Sequence, residues 1–170
     1  MQRRAIAAKY DYTDEEGELL YQVVRTEPKG FFQRRPDRYG SWIHQKGDRQ
    51  VLYRLREVIE APIVLVVEGE KDVETLRSHG FVATTNAGGA NAPWLPQFTE
   101  CLSGKEVILI PDNDTPGRQR VLRIARDVVG SVARVIVLEL QGCKDVTEWF
   151  GQGNSEVEFV TRIESQEVSK

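Results

Sequence analysis

Five acidic residues stand where they could do chemistry: Glu68 in Val67-Glu68-Gly69, Asp72 four residues on, Asp112 and Asp114 in Pro111-Asp112-Asn113-Asp114, and Asp145 in Lys144-Asp145. Glu68, the Asp112/Asp114 pair and Asp145 each follow a short apolar run. Carboxylates brought together repel one another unless a cation sits between them. Mg2+ or Mn2+ suits such a set, because Mg2+ takes oxygen ligands, keeps several waters and leaves room for substrate phosphates. In a turn, Asp112 and Asp114 can converge on one ion while Asn113 points elsewhere. Gly69 lets the chain turn sharply after Glu68 and leaves space for a ligand. Asp72 reads either as a further ligand or as an acid stabilising a helix N-terminus.

The elements that must position these acids alternate. Ile63-Val64-Leu65-Val66-Val67 is a continuous apolar run, the pattern of a strand covered on both faces. A short helix is expected over Asp72 to His79 with Gly80 at its end, then a strand over Phe81 to Thr85. A helical piece near Pro93 to Leu102 precedes a strand at Val107 to Ile110. A longer helix over about Gly117 to Val129 has Val121, Leu122, Ile124, Ala125, Val128 and Val129 as its apolar face. A strand at Arg134 to Leu138 is followed by a loop and a helical tail. This βα alternation predicts an α/β fold, a mostly parallel sheet flanked by helices. In such sheets ligands bind at the carboxyl ends of the strands, and the three acidic clusters fall there.

Residues 1 to about 60 differ in texture and read as a small β-rich, basic lobe ahead of an α/β domain over 61–170. Ala5 to Tyr12 and Leu19 to Thr26 are strand-like and are joined by the turn-rich Thr13 to Gly17. A Gly- and Arg-rich stretch, Lys29 to Pro36, follows; then come Trp42-Ile43 and a helical segment near Leu52 to Ile59. From Arg25 to Arg56 there are nine Lys/Arg against three Asp/Glu, a local balance of +6, although the chain as a whole carries −3. A basic lobe beside an acidic pocket suits a protein that holds a phosphate backbone and a divalent metal. Lys29, Arg34, Arg35 and Arg38 lie among Phe31, Phe32, Tyr39 and Trp42, a mixture that suits single-stranded nucleic acid. The other reading makes Phe31, Phe32 and Trp42 the small core of the lobe.

Composition excludes several classes. No apolar run reaches the roughly 20 residues of a membrane span, and the Met-Gln-Arg-Arg start leads into no signal-peptide pattern. The chain therefore reads as soluble and cytoplasmic. Two cysteines, Cys101 and Cys143, and two histidines, His44 and His79, lack the spacing of a zinc site. The closing residues Ser165 to Lys170 are polar enough to fray.

At this point the residues resemble a known family. Glu68-Gly69-Glu70-Lys71-Asp72 looks like the first motif of Toprim domains, and Asp112-Asn113-Asp114-Thr115-Pro116-Gly117 looks like the second. Lys144-Asp145-Val146-Thr147-Glu148 is similar to the third acidic loop of primase-type members, and Asn86-Ala87-Gly88-Gly89-Ala90 resembles their Gly-containing loop. The match runs from about Ile63 to Phe150, in the family's order. With a basic β-rich lobe in front, the chain resembles the bacterial, phage and plasmid DNA primase branch.

The resemblance implies Mg2+- or Mn2+-dependent nucleotidyl transfer, making RNA primers on a single-stranded DNA template from nucleoside triphosphates. It implies Glu68, Asp112, Asp114, Asp145 and Asp72 as metal ligands, with Glu68 alternatively managing the proton of the attacking hydroxyl. Lys71, Lys144, Gly88 and Gly89 would hold phosphates or nucleotide, and a replicative helicase would be a partner. Three departures from the family pattern stand out: the sequence shows no zinc-binding module and no helicase or helicase-docking domain after the Toprim-like part, and Thr147 stands where some primases have a second Asp. The chain is thus expected to be a fragment of a larger replication protein or a small free-standing relative. A Toprim nuclease and a non-catalytic nucleic-acid-binding module are the competing readings. Arg118, Arg120 and Arg123 either face substrate or form a solvated helix face, with the solvated face expected. Trp94 and Trp149 are expected to pack.

Overall fold

The computed structural model describes residues 5–166; the ends 1–4 and 167–170, which include most of the segment expected to fray, lie outside the described residues. The described residues build two four-stranded sheets. The first is antiparallel, with β1 (Ala5–Thr13), β2 (Leu19–Glu27), β3 (Gly30–Pro36) and β4 (Trp42–Ile43) in sequence order. Asp14 closes the β1–β2 turn, its carboxylate accepting from the N–H groups of Glu16 and Glu18. Strand β3 occupies the stretch that the sequence marks only as Gly- and Arg-rich; it pairs with β2 through Val24↔Phe32 and Gln22↔Arg34. Arginines fit there because their stems lie along the sheet. Arg34 Nε donates to Gln22 Oε1 at 2.8 Å, and its guanidinium sits 4.1 Å from the centre of the Trp42 ring.

The second sheet is parallel, with β5 (Ile63–Val66), β6 (Ala83–Thr84), β7 (Glu106–Leu109) and β8 (Arg134–Val137) in the order β6-β5-β7-β8. Val64, Leu65 and Val66 are all buried, although successive side chains point to opposite faces, so both faces are covered. The flanking helices are α1 (Leu55–Glu60), α2 (Glu70–Ser78), α3 (Pro96–Cys101), α4 (Thr115–Val128), α5 (Val146–Gly151) and α6 (Glu156–Ser165). After β5 the chain goes to β6 on one side, then crosses to β7 on the other. The point where the winding reverses therefore lies between the ends of β5 and β7.

Two elements depart from expectation. Strand β6 is only two residues long, because the backbone beyond it turns to a different partner: Leu52 bridges Asn86, and the Tyr53 N–H donates to the Thr85 carbonyl. Helix α4 begins at Thr115, since the Asp114 carboxylate accepts from the Gly117 N–H at 2.8 Å and caps it. Its inward stripe is Gly117, Arg120, Val121, Ile124 and Val128, so Leu122 and Val129 fall off the stripe and are exposed.

One continuous core runs through both sheets. Tyr12, fully buried, stacks on Tyr21 with ring centres 4.6 Å apart and meets Tyr53 at 5.1 Å. Its hydroxyl donates to Glu70 Oε1 at 2.8 Å, tying β1 to the first residue of α2. These tyrosines form the core of the antiparallel sheet, and Phe31 and Trp42, both exposed, do not. Trp149 packs, fully buried, against Phe150 and Phe159, while Trp94 is half-buried against Phe98. Both cysteines are free thiols. Among the described residues no helix is long and apolar enough to cross a membrane.

Removing the Tyr12 hydroxyl leaves a buried carboxylate without its donor. Tyr12→Phe is expected to lower stability by roughly 1–3 kcal/mol in urea titration, and Tyr12→Phe/Glu70→Gln to recover part of that loss. A Tyr12→Phe midpoint equal to wild type would show the bond contributes nothing.

Candidate functional site

The parallel strands end level with one another. Val66 pairs with Leu109 and Leu109 with Val137, and the ladder closes with Ile110 N–H donating to the Val66 carbonyl and Leu138 N–H to that of Leu109. The chain then opens into loops that carry the acids. Glu68, Asp72, Asp112 and Asp145 line one wall of a cleft of about 730 Å³ between the two sheets. The opposite wall comes from the antiparallel sheet and the segment after it, with Tyr10, Val23, Arg25, Lys29, Phe31 and Lys46. Acid thus faces base across one space.

Of the residues expected to hold phosphate, Lys71, Lys144, Gly88 and Gly89 all line the cleft. Gly88 has φ +108°, a conformation that favours glycine. Asp114 does not line the cleft; its carboxylate is turned to the start of α4. Asp145 caps α5 in the same way, accepting from the Glu148 N–H at 2.8 Å, yet still borders the cleft. Asp72, buried, accepts from Thr147 Oγ1 at 2.6 Å, so the threonine at the departing position of the third loop anchors an acid of the first. Asn113 binds the third loop: its N–H donates to the Lys144 carbonyl and its amide to that of Cys143, tying the loops after β7 and β8 together.

In the basic lobe only Lys29 of the four expected cations reaches the cleft. Arg34 lies on Trp42, Arg35 pairs with Asp48 at 3.6 Å, and Arg38 sits over Tyr39 at 4.7 Å. Arg25 and Lys46 take their place. Arg25 was legible: it lies two residues after Val23 on β2, hence on the same face. Arg120 corrects the reading of a solvated helix face, since it is 3% exposed and donates to Asn86 Oδ1 at 2.8 Å and Thr85 Oγ1 at 3.3 Å. Arg118 and Arg123 are exposed.

Crowding shows in the electrostatics. Burial, reinforced by the charges of Glu68, Asp72 and Asp145, pushes Asp112 up to about 7. Burial likewise raises Glu68, with Asp114 and Asp72 adding to it, and raises Glu70 and Asp72. Glu68 Oε2 is buried without a hydrogen-bond partner. Among the described residues no group of three or more His, Cys, Asp or Glu side chains is placed so as to hold a metal ion. An orphaned carboxylate oxygen among mutually repelling acids nevertheless fits a hard divalent cation that needs one or two carboxylates and takes its other ligands from water and phosphate.

Gly117 sets how closely α4 approaches this loop. A Cβ there would stand 2.6 Å from the Asp112 carbonyl oxygen, so Gly117→Ala is expected to cost about 1–3 kcal/mol, read by urea titration. The raised acids also fix a sign. Between about pH 4 and 7 the folded protein holds protons that the unfolded chain has released, so this cluster's contribution to stability falls as pH rises through that window. Without divalent metal, Asp112→Asn should therefore melt above wild type at pH 7–8 and level with it near pH 4. Parallel melting curves across the range would contradict the crowding.

No family model matches the sequence, and no curated protein matches it. Solved structures do match in fold. A structure of the bacteriophage T7 lagging-strand DNA polymerase with the primase domains of two gp4 subunits, bound to an RNA/DNA hybrid and dTTP, matches with a TM-score of 0.68 and 21% identity, over 91% of this chain and 75% of that one. The primase fragment of the T7 primase-helicase protein gives 0.61 and 21%, over 91% of this chain and 62% of that one. The zinc-binding and RNA polymerase domains of the Aquifex aeolicus primase give 0.70 and 22%, over 91% of this chain but only 39% of that one. The chain's fold is thus similar to that of bacterial and phage DNA primase cores, of which it spans a part.

Proposed function

We propose that the chain is a primase-like nucleotidyltransferase of Toprim type that makes RNA primers on single-stranded DNA during cytoplasmic DNA replication. The observation that carries this reading is the cleft itself, with carboxylates at the winding reversal of the parallel sheet on one wall and Arg25, Lys29 and Lys46 on the other. The fold likeness to primase cores supports it, and one such structure holds an RNA/DNA hybrid and dTTP.

Glu68, Asp112 and Asp145 would hold Mg2+ or Mn2+, with Asp72 behind them and Asp114 joining on release from its helix cap; such an ion would supply neutralisation of phosphate charge. The rest is the work of side chains. Arg25, Lys29 and Lys46 hold the template strand by its phosphates, and exposed Phe31 offers a base a stacking face. Lys71 and Lys144 bind the triphosphate, and the Gly88–Gly89 turn leaves room for it. As the alternative to binding the ion, Glu68 accepts the proton of the attacking 3′-hydroxyl as that oxygen bonds to the α-phosphorus and pyrophosphate leaves. The lobe up to about residue 60, built on the antiparallel sheet, serves as template lobe and the parallel sheet as the catalytic part. A replicative helicase is the proposed partner, because the T7 primase belongs to a primase-helicase protein.

The deciding assay incubates the protein with single-stranded DNA, labelled ribonucleotides and Mg2+ or Mn2+. Wild type should yield oligoribonucleotides, and Asp112→Ala/Asp114→Ala, still folded by circular dichroism, should yield at least about 100-fold fewer. Shortened DNA would instead indicate a nuclease, and retention of unchanged DNA a binding module. Lys29→Ala/Lys46→Ala should weaken single-strand binding and reduce its salt slope by about 0.7 for each phosphate that the variant no longer neutralises.

A further inference from the structure

Helix α4 carries one charged residue on an inward stripe otherwise made of Gly117, Val121, Ile124 and Val128. A charge is not buried in such a position without compensation, because desolvating an ion costs several kcal/mol. The hydrogen-bond partners of Arg120 are neutral: Asn86 Oδ1 and Thr85 Oγ1 accept from Nη2, and Nε has no partner. Burial brings Arg120 down to about 10, while the charges of Glu68 and Asp112 work in the opposite direction. Thr85 completes the connection, since its hydroxyl also donates to the Glu68 carbonyl at 2.9 Å. One guanidinium therefore joins the helix that begins at Asp114, the loop that leads to Gly88 and Gly89, and the turn that carries Glu68.

We propose that Arg120 is a positioning residue and the resident counter-charge of the acidic cluster: a fixed guanidinium behind Glu68 and Asp112 that holds the loops after β5, β6 and β7 at one spacing when no divalent cation is bound. A divalent ion then enters a site that is already assembled. The inference rests on the divalent-cation reading above, but the test separates the two.

Hydrogen exchange by mass spectrometry, resolved to short segments, is measured on wild type, Arg120→Gln and Arg120→Lys, each without divalent ion and with saturating Mg2+. Arg120→Gln keeps hydrogen-bonding capacity without the charge; Arg120→Lys keeps the charge without the fork. In the metal-free state Arg120→Gln should exchange about tenfold faster than wild type over residues 85–89 and 112–113, with β5 and β7 unchanged. Mg2+ should return those segments to the wild-type rate, and Arg120→Lys should match wild type throughout. Unchanged exchange in Arg120→Gln overturns the proposal. So does acceleration that is equal in the core strands, which is the mark of a general stabiliser, or an Arg120→Lys as fast as Arg120→Gln. Should Arg120→Gln fail to fold, Arg120→Met, closer in shape to the buried stem, takes its place; failure of both neutral variants makes Arg120 a determinant of the whole fold and also overturns it. If calorimetric titration finds no Mg2+ binding to wild type, the divalent-cation reading falls, while the metal-free comparison still decides the role of Arg120.

Discussion

Like-charge repulsion at the carboxyl end of a parallel sheet is the constraint around which this molecule is organised. Parallel strands that end in register place the loops after β5, β7 and β8 side by side, and each loop brings a carboxylate. Left alone, such acids would push the loops apart or take up protons. The structure contains them locally. Asp114 and Asp145 are held on helix N-termini, Asp72 by a threonine hydroxyl, and Glu68 and Asp112 feel a buried guanidinium. The cations of the facing sheet stand across a cleft rather than in contact, which leaves the space between the walls for a ligand that carries its own negative charge.

That cleft exists only because the two sheets are fixed relative to one another. Several links do this, three of them next to the cleft or at the seam. The Tyr12 hydroxyl reaches Glu70 at the start of α2; the segment after β4 adds an antiparallel rung at Leu52 and Asn86; and the Tyr53 N–H donates to Thr85. Stacked tyrosines close the seam between them. Tyr12 and Thr85 each lie within a few residues of a cleft-lining group, so the join between the sheets and the chemistry of the cleft share their neighbours.

How much of this could be read from the residues depends on whether the signal is local. The unbroken apolar run from Val64 to Val67 can hardly be anything but a strand covered on both faces, and an acid directly after it must emerge at the strand's end. The Asp-Asn-Asp turn was legible for the same reason. What stayed hidden depends on distant partners. Strand β3 is disguised by Arg34 and Arg35, whose charges are accommodated by Gln22, Trp42 and Asp48 rather than by anything adjacent. Arg120 reads as a surface residue until Asn86 and Thr85, more than thirty residues earlier, are placed beside it. Asp114 illustrates the remaining case: its type and position were evident, but that its carboxylate turns to the helix follows from the tight approach of Gly117 to the Asp112 backbone.

The capping role of Asp114 has a thermodynamic corollary. A group that steadies the first turn of α4 while it borders the candidate metal loop makes the helix and the loop two readings of one equilibrium. Whatever draws the Asp114 carboxylate toward a ligand loosens the helix start, and whatever stiffens the helix start holds the carboxylate back from the ligand, in equal measure by reciprocity. The cap thus ties the start of a fourteen-residue helix, which packs on β8 and α3, to the loop that carries Asp112.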